Sequence, residues 1–231
     1  MSPPGRCKGE QRRAQHGGGA VTSLRRRRLL RWPAAAFVGA GWGASVEVWA
    51  GGQAEEPLAN AVRTVLSAAI ASAAPPKPSF DSTEQRMVYL RWLSAMSERL
   101  ARRHSEPSTR IDFLDTLWYE SKRAGLEPEL VLGLIQVESA FRKYAISVVG
   151  ARGYMQVMPF WARLIGDGDP ARLFHMQTNL RFGCVILRHY LDRERGDLFL
   201  ALGRYNGSRG RPEYPNAVFA ARKHWQNGNV R

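Results

Sequence analysis

Residues Glu129 to Ala140 read E-L-V-L-G-L-I-Q-V-E-S-A. The apolar positions recur at helical spacing. Val131, Leu134 and Ile135 stand seven, four and three residues before Glu138, so all four share one helical face. Three of these positions are built for burial and the fourth is a carboxylate. Burial disfavours the charged form of a carboxyl group and raises its pKa. A carboxyl that keeps its proton near neutrality can serve as a general acid. The same Glu would also suit a helix end or a buried pair with an arginine, since structural ion pairs perturb acids too.

The next twenty residues favour chemistry. Ser139-Ala140-Phe141 is followed by Ser147 and then by G-A-R-G-Y-M-Q-V-M-P from Gly150 to Pro159. Two glycines three apart allow positive φ or a close approach of backbone to a ligand. Gln156 offers an amide with both donor and acceptor, suited to an N-acetyl or hydroxyl group. Pro159 redirects the chain.

With these motifs in order, the chain resembles the lytic transglycosylases that carry the soluble lytic transglycosylase catalytic domain, relatives of goose-type lysozyme. The resemblance covers roughly Ser108 to Trp225. Glu138-Ser139 is similar to the family's Glu-Ser pair, and Ser147 to the serine before its Gly-rich segment. The Gly150–Pro159 run is similar to G-A-x-G-L-M-Q-x-M-P, with Tyr154 in place of leucine. Asn179 with Gly183 resembles the family's asparagine-and-glycine helix. Tyr205-Asn206 resembles its A-Y-N-A-G-P-G segment, and Tyr214 with Val218 the closing tyrosine and valine. Arg204 and Arg209 depart from that pattern. They would alter the shape and charge of the groove on their side.

The resemblance implies a mainly α fold with a lysozyme-like catalytic domain, preceded by one or two extra helices. It implies cleavage of the β-1,4 bond between N-acetylmuramic acid and N-acetylglucosamine, with a 1,6-anhydro product. Glu138 would be the sole acid and base. Ser147, Gln156, Met158, Tyr205, Asn206 and Tyr214 would bind sugar or position the acid. Read without the resemblance, Tyr205 and Tyr214 would be core tyrosines with hydroxyls tied to carbonyls, and Asn206-Gly207 a tight turn. A water-using muramidase and an inactive peptidoglycan-binding module of a secretion or conjugation apparatus are the competing functions.

Glycosidases usually need two carboxylates. Asp167 and Asp169 follow Gly166 and read as solvated loop acids, so the expected chemistry is substrate-assisted. No cofactor or metal is expected. His16, His104, His175, His189 and His224 are scattered and form no H-E-x-x-H or Cys/His cluster.

The formal net charge is +14 over 231 residues. Residues 1–50 hold nine Lys/Arg against two Asp/Glu, which is half of that excess. The basic character therefore argues for a leader more than for nucleic-acid binding, and no recognition-helix motif is present. Arg25–Arg28 and Arg31 form a positive region ahead of an uncharged, apolar stretch from Trp32 to Ser45. Val48-Trp49-Ala50 makes a cleavage site before Gly51 plausible. The arginines also resemble a twin-arginine signal. Periplasmic location follows as the expectation, with peptidoglycan strands and an envelope-spanning secretion or conjugation machinery as partners, and a monomeric protein. Loss of Cys7 with the leader would leave Cys184 without a disulfide partner, as a small core residue.

The expected organisation is an export signal (1–50), a helix and Pro-rich linker (51–80), an accessory helix (81–107) and the catalytic domain (108–231). Gly51 to Glu56 reads as a flexible start. Ser82-Thr83-Glu84-Gln85 reads as a capping box. It opens a helix with Tyr89, Leu93, Met96 and Leu100 on one face. A cap at Ser108 or Thr109 opens a helix whose face is Ile111, Leu114, Leu117, Trp118 and Ser121, ended at Gly125. Pro128 starts the Glu138 helix. Thr178 caps a helix carrying Leu180, Cys184, Leu187 and Leu191. Further short helices are expected at Phe160–Ile165, Leu198–Arg204 and Tyr214–Trp225.

Overall fold

The computed structural model describes residues 53, 55–71 and 78–226. The export signal expected before residue 51 and most of the Pro-rich linker lie outside the described residues. Eight α-helices and one 3-10 turn account for the regular structure: α1 (Asn60–Ala71), α2 (Thr83–Leu100), α3 (Pro107–Arg123), α4 (Pro128–Ser139), α5 (Pro159–Ile165), the 3-10 turn (Pro170–Phe174), α6 (Met176–Arg193), α7 (Leu198–Asn206) and α8 (Glu213–Gln226). No strand occurs among the described residues; Arg152 makes isolated bridges to Ile146 and Val157. The fold is mainly α, as expected. No described helix is long and apolar enough to cross a membrane.

The helix that carries Glu138 is the centre of the packing. α4 runs against α8, and Gly133 sets the distance between them. A Cβ at Gly133 would stand 2.7 Å from the backbone nitrogen of Arg222 and 3.1 Å from the carbonyl oxygen of Val218. Real Cβ atoms do not approach backbone so closely, so glycine is required for this crossing. Val131, Leu134 and Ile135 are fully buried, as the spacing predicts.

The helices that precede the expected catalytic domain pack on it. On α2, Tyr89, Trp92, Met96 and Leu100 are buried, and Trp92 packs against Trp118 of α3 in a tilted pair with ring centroids 4.7 Å apart. At its end, Arg99 donates to the carbonyls of His224 and Trp225 at 2.9 and 2.7 Å. Those carbonyls lie at the C-terminus of α8, where a cation also meets the negative end of the helix dipole. α1 is docked in the same way. Arg181 donates to the carbonyl of Ile70 at 3.3 Å and Arg123 to that of Ala69. Both arginines pair with Glu120, at 2.9 and 3.1 Å. Glu120 is buried, so the two cations that hold α1 also neutralise the one carboxylate beneath it.

Several helix starts differ from expectation. α3 begins at Pro107 and is capped by Glu106, whose carboxylate accepts from the Thr109 N–H at 2.6 Å. Proline at the first position needs no N–H partner, which lets the helix open before Ser108. Its buried face is Phe113, Leu114, Thr116, Leu117, Glu120 and Ser121, while Ile111 is exposed. The face turns this way because Glu120 finds Arg181 inside. α6 begins at Met176, so Thr178 lies within it and does not cap it. The capping box at Ser82 holds in part. The Ser82 hydroxyl accepts from the Gln85 N–H at 3.2 Å, and the Gln85 amide reaches back to the N–H of Asp81 rather than of Ser82. α3 ends as expected. Gly125 donates to Lys122 and Leu126 to Ser121, a Schellman pair.

Arg181→Leu removes two of the three bonds to the buried Glu120 carboxylate, leaving Arg123 as its remaining partner, and is expected to destabilise the fold by about 2–3 kcal/mol. Adding Glu120→Leu should recover most of that loss. Denaturant unfolding of the single and double variants checks this, and additive losses would contradict it.

Candidate active site

Glu138 lies on the last turn of α4, and its side chain is 0% exposed. Directly after it the chain breaks away. Ala140 and Phe141 both take left-handed backbone, with φ of 49° and 65°. This conformation is uncommon for residues with a Cβ, and it is held from outside. Phe141 is buried against Phe113 and Trp225, and Arg103 donates to the Ala140 carbonyl at 3.2 Å. Arg142 turns back to the Ser139 carbonyl at 3.0 Å and stays exposed. It does not pair with Glu138.

One oxygen of Glu138, Oε1, accepts from the Tyr214 hydroxyl at 2.6 Å. The other, Oε2, is buried with no partner among the described residues. Burial pushes the Glu138 pKa up to about 8, and the Tyr214 bond pulls it partly back. The acid is therefore protonated at neutral pH. With Oε1 engaged as an acceptor, the proton belongs on Oε2. The direction agrees with expectation. The shift is large because the carboxyl is completely desolvated and has no cation beside it among the described residues. Burial, with Glu138 as neighbour, also raises the pKa of Tyr214 well above that of a free tyrosine.

The Gly150–Pro159 run folds back as a tight irregular loop fastened by Asn179 of α6. Asn179 Oδ1 accepts from the Met155 N–H at 2.8 Å, and its Nδ2 donates to the carbonyls of Arg152 and Leu173, each at 2.8 Å. Gly153 has φ of 75°, and a Cβ there would stand 2.7 Å from the Leu173 carbonyl oxygen. The motif thus depends on one asparagine and one glycine, and Asn179 acts on the loop, not as a surface group.

Gln156, with φ of 48°, is buried. Its Nε2 donates to the carbonyls of Ala145 and Gly153 at 3.2 and 2.9 Å, which leaves Oε1 buried and unpartnered. The Ser147 hydroxyl, half-buried, accepts from the Ala151 N–H at 3.0 Å. Tyr205 is fully buried and donates to the Met155 carbonyl at 2.7 Å. That is the bond of an ordinary core tyrosine. Tyr205 also lies within the field of Glu138, which with burial raises its pKa well above the usual value. Asn206, at the end of α7, is buried with Nδ2 unpartnered. Met158 is half-buried at the start of α5.

Arg204 and Arg209 are engaged with acids. Arg209 makes a two-pronged bond to Glu194 at 2.8 and 2.9 Å. Arg204 bonds Glu194 and, at 3.0 Å, Glu56. Much of their charge is spent on these partners. Asp167 and Asp169 are elsewhere engaged too: the first pairs with Arg172, and the second caps the 3-10 turn at 2.8 Å. The buried carboxylates among the described residues are Glu120 and Glu138, and Glu120 is already neutralised.

One residue of the region carried no sequence signal. Gln53 is 4% exposed, and its carbonyl oxygen accepts from the Met158 N–H at 3.5 Å. It stands in a stretch that reads as a flexible start.

Residues 116–226 match the family model described as the Transglycosylase SLT domain. A protein named membrane-bound lytic murein transglycosylase C, from Actinobacillus pleuropneumoniae serotype 5b, is 43% identical over 75 residues, covering 29% of this chain and 20% of the relative. A protein named transglycosylase, from Enterobacteria phage PRD1, is 35% identical over 97 residues, covering 42% of this chain and 35% of the relative. The chain thus spans about a fifth to a third of the length of these relatives. A solved structure of an inactive mutant of the lytic transglycosylase Slt from Pseudomonas aeruginosa aligns with a TM-score of 0.39 and 24% identity, over 62% of this chain and 27% of that one.

Two outcomes are expected. Asn179→Leu leaves the Met155 N–H and the Leu173 carbonyl short of a partner, while the Arg152 carbonyl keeps the Val157 N–H, and should cost about 2 kcal/mol or more, measured by denaturant unfolding. Glu138 makes stability depend on pH. Its folded pKa is raised, so its contribution is full below the unfolded value near 4.5 and is lost as pH rises toward about 8. Stability should fall across that window by at most about 1.4 kcal/mol per pH unit. Glu138→Gln should remove this slope; an unchanged slope would contradict the assignment.

Proposed function

We propose that the chain is a peptidoglycan lytic transglycosylase built on a lysozyme-like domain, with Glu138 as its sole acid and base. The observation that carries this reading is the state of Glu138: buried, protonated at neutral pH, held on one oxygen by Tyr214 and free on the other. The family-model match of residues 116–226 and the names of the relatives support the same substrate class.

In this mechanism Glu138 gives its proton to the glycosidic oxygen between N-acetylmuramic acid and N-acetylglucosamine. The bond from C1 to that oxygen breaks, and the acetamido oxygen of the muramic acid supports the developing cation. Glu138, now a carboxylate, takes the proton of the C6 hydroxyl. That oxygen closes on C1, and the product is a 1,6-anhydro sugar. No water is consumed. The lack of a second free buried carboxylate among the described residues supports this route over one with a carboxylate-activated water.

Ser147, Gln156, Met158, Tyr205 and Asn206 shape the sugar site, and Tyr214 positions the acid. Tyr214 keeps Oε1 occupied, so the transferable proton stays on Oε2. The substrate lies outside the cytoplasm, so the proposal includes export by the segment before residue 51, action in the periplasm and the expected envelope-spanning partner. Helices α1 and α2 then serve as packed supports of the catalytic domain.

Glu138→Gln should reduce lysis of purified sacculi by about a hundredfold or more, with unchanged circular dichroism. Mass spectrometry of the wild-type digest should show 1,6-anhydromuramic ends. Reducible ends, heavier by one water, would identify a hydrolase instead.

A further inference from the structure

Four large apolar side chains stand in water within six residues, on the loop that follows α4. Tyr144 is 70% exposed, Ile146 65%, Val148 97% and Val149 50%. Clustered exposed apolar groups mark contact surfaces, whereas scattered ones do not. Tyr144, Ile146 and Val148 alternate with the better covered Ala145 and Ser147, so they share one face of an extended stretch. The loop is fastened from behind. The Ser147 N–H donates to the Ala151 carbonyl at 3.0 Å, and the Ser147 hydroxyl accepts the Ala151 N–H at 3.0 Å. The Gly150 N–H closes on the Ser147 carbonyl and the Gly153 N–H on the Ala145 carbonyl, each at 2.9 Å. The apolar tip is therefore held out into water by bonds made at its back.

Cations stand around the base of this tip. Lys143 Nζ lies 5.2 Å from the centre of the Tyr144 ring, and the Arg152 guanidinium 5.4 Å from that of Phe174. The two rings meet at 6.1 Å. Arg152 bridges to Ile146 across the loop, which puts the two side chains on the same face. Arg142 is exposed beside them, with its Nε on the Ser139 carbonyl. Among the described residues, no carboxylate pairs with Arg142, Lys143 or Arg152. From Ser139 to Gly166 the sequence holds four Lys or Arg and no Asp or Glu. The face suits a partner that is both apolar and anionic.

Shape narrows the choice. A side chain as exposed as Val148 is a convex point and lines no pocket. A sugar or a peptide laid against it would cover one side only. A bilayer closes around it, takes up the rings and aliphatic groups at the headgroup boundary, and brings anionic lipids to the cations. We infer that the Tyr144–Val149 tip docks the protein peripherally on anionic lipid bilayers. Val148 is ten residues past Glu138, so docking would hold the acid within about 35 Å of the bilayer surface. The inference goes beyond the glycan reading and does not need it.

Cosedimentation of the full chain with sucrose-loaded vesicles of mixed phosphatidylcholine and phosphatidylglycerol tests this. Val148→Ser with Val149→Ser should weaken binding about tenfold or more. Lys143→Gln with Arg152→Gln should weaken it about fivefold for each cation removed, and phosphatidylcholine vesicles should bind the wild-type protein far more weakly. The basic segment before residue 51 is common to all these proteins, so the differences report the tip. Mixed vesicles should also slow hydrogen exchange at residues 144–150 of the wild-type protein, and circular dichroism checks that the variants are folded. Equal vesicle binding by wild-type protein and tip variants, or unchanged exchange at 144–150, would overturn the inference. Unchanged vesicle binding with weakened binding to sacculi would assign the tip to the substrate and overturn it too. Lysis by Glu138→Gln, by contrast, bears on the glycan reading and leaves the tip untouched.

Discussion

The structure depends on keeping one carboxyl group dry. Glu138 is fully buried, and among the described residues its carboxyl meets the Tyr214 hydroxyl and no cation. A carboxylate in such a place would be expensive, and the group responds by holding its proton. The packing around α4 maintains this state. Val131, Leu134 and Ile135 seal the face below, and α8 brings Tyr214 to the acid across 76 residues of sequence. Gly133 allows α8 to come that near. A protonated acid at neutral pH is the chemical consequence of a helix crossing.

The second constraint is the loop that follows. α4 must end at once after Glu138, or the helix would continue through the space where Gly150–Pro159 folds. Two left-handed residues end it, and Phe141 inserts into the aromatic cluster to hold them there. Asn179 then ties the returning loop to α6 with two bonds and the 3-10 turn with a third. The acid, the loop and the tyrosines of α7 and α8 therefore come from separate elements whose relative positions are set by buried polar bonds. The ion pairs of Glu120 do the same for α1, away from the acid.

What could be read from the sequence was what depends on local periodicity. The dry face of α4 is visible from Val131, Leu134 and Ile135 because helical spacing is local. The loop after it is visible from its glycines and Pro159. Partners across the fold were less legible. Tyr214 could be named, but its bond to Glu138 rests on the α4–α8 crossing, which no spacing reveals. Tyr205 is a core tyrosine with its hydroxyl on the Met155 carbonyl, and it also lies within the field of Glu138, which with burial raises its pKa. Arg204 and Arg209 looked like free positive charge because Glu194 and Glu56 are distant or unremarkable in sequence. Gln53 gave no signal at all, since a lone glutamine in a Gly- and Glu-containing stretch has no periodicity. The helix start at Pro107 was displaced because Glu106 caps it and proline suits the first position, and the start at Met176 has no side-chain cap to announce it.

Infrared difference spectroscopy of the folded protein, with Glu138→Gln as the reference, tests directly whether Glu138 is a neutral acid at pH 7. A protonated-carboxyl carbonyl band is expected at pH 7 in the wild-type protein, absent from Glu138→Gln, and lost only as pH rises through about 8. A carboxylate band from Glu138 at pH 7, with no protonated band above pH 5, would contradict it.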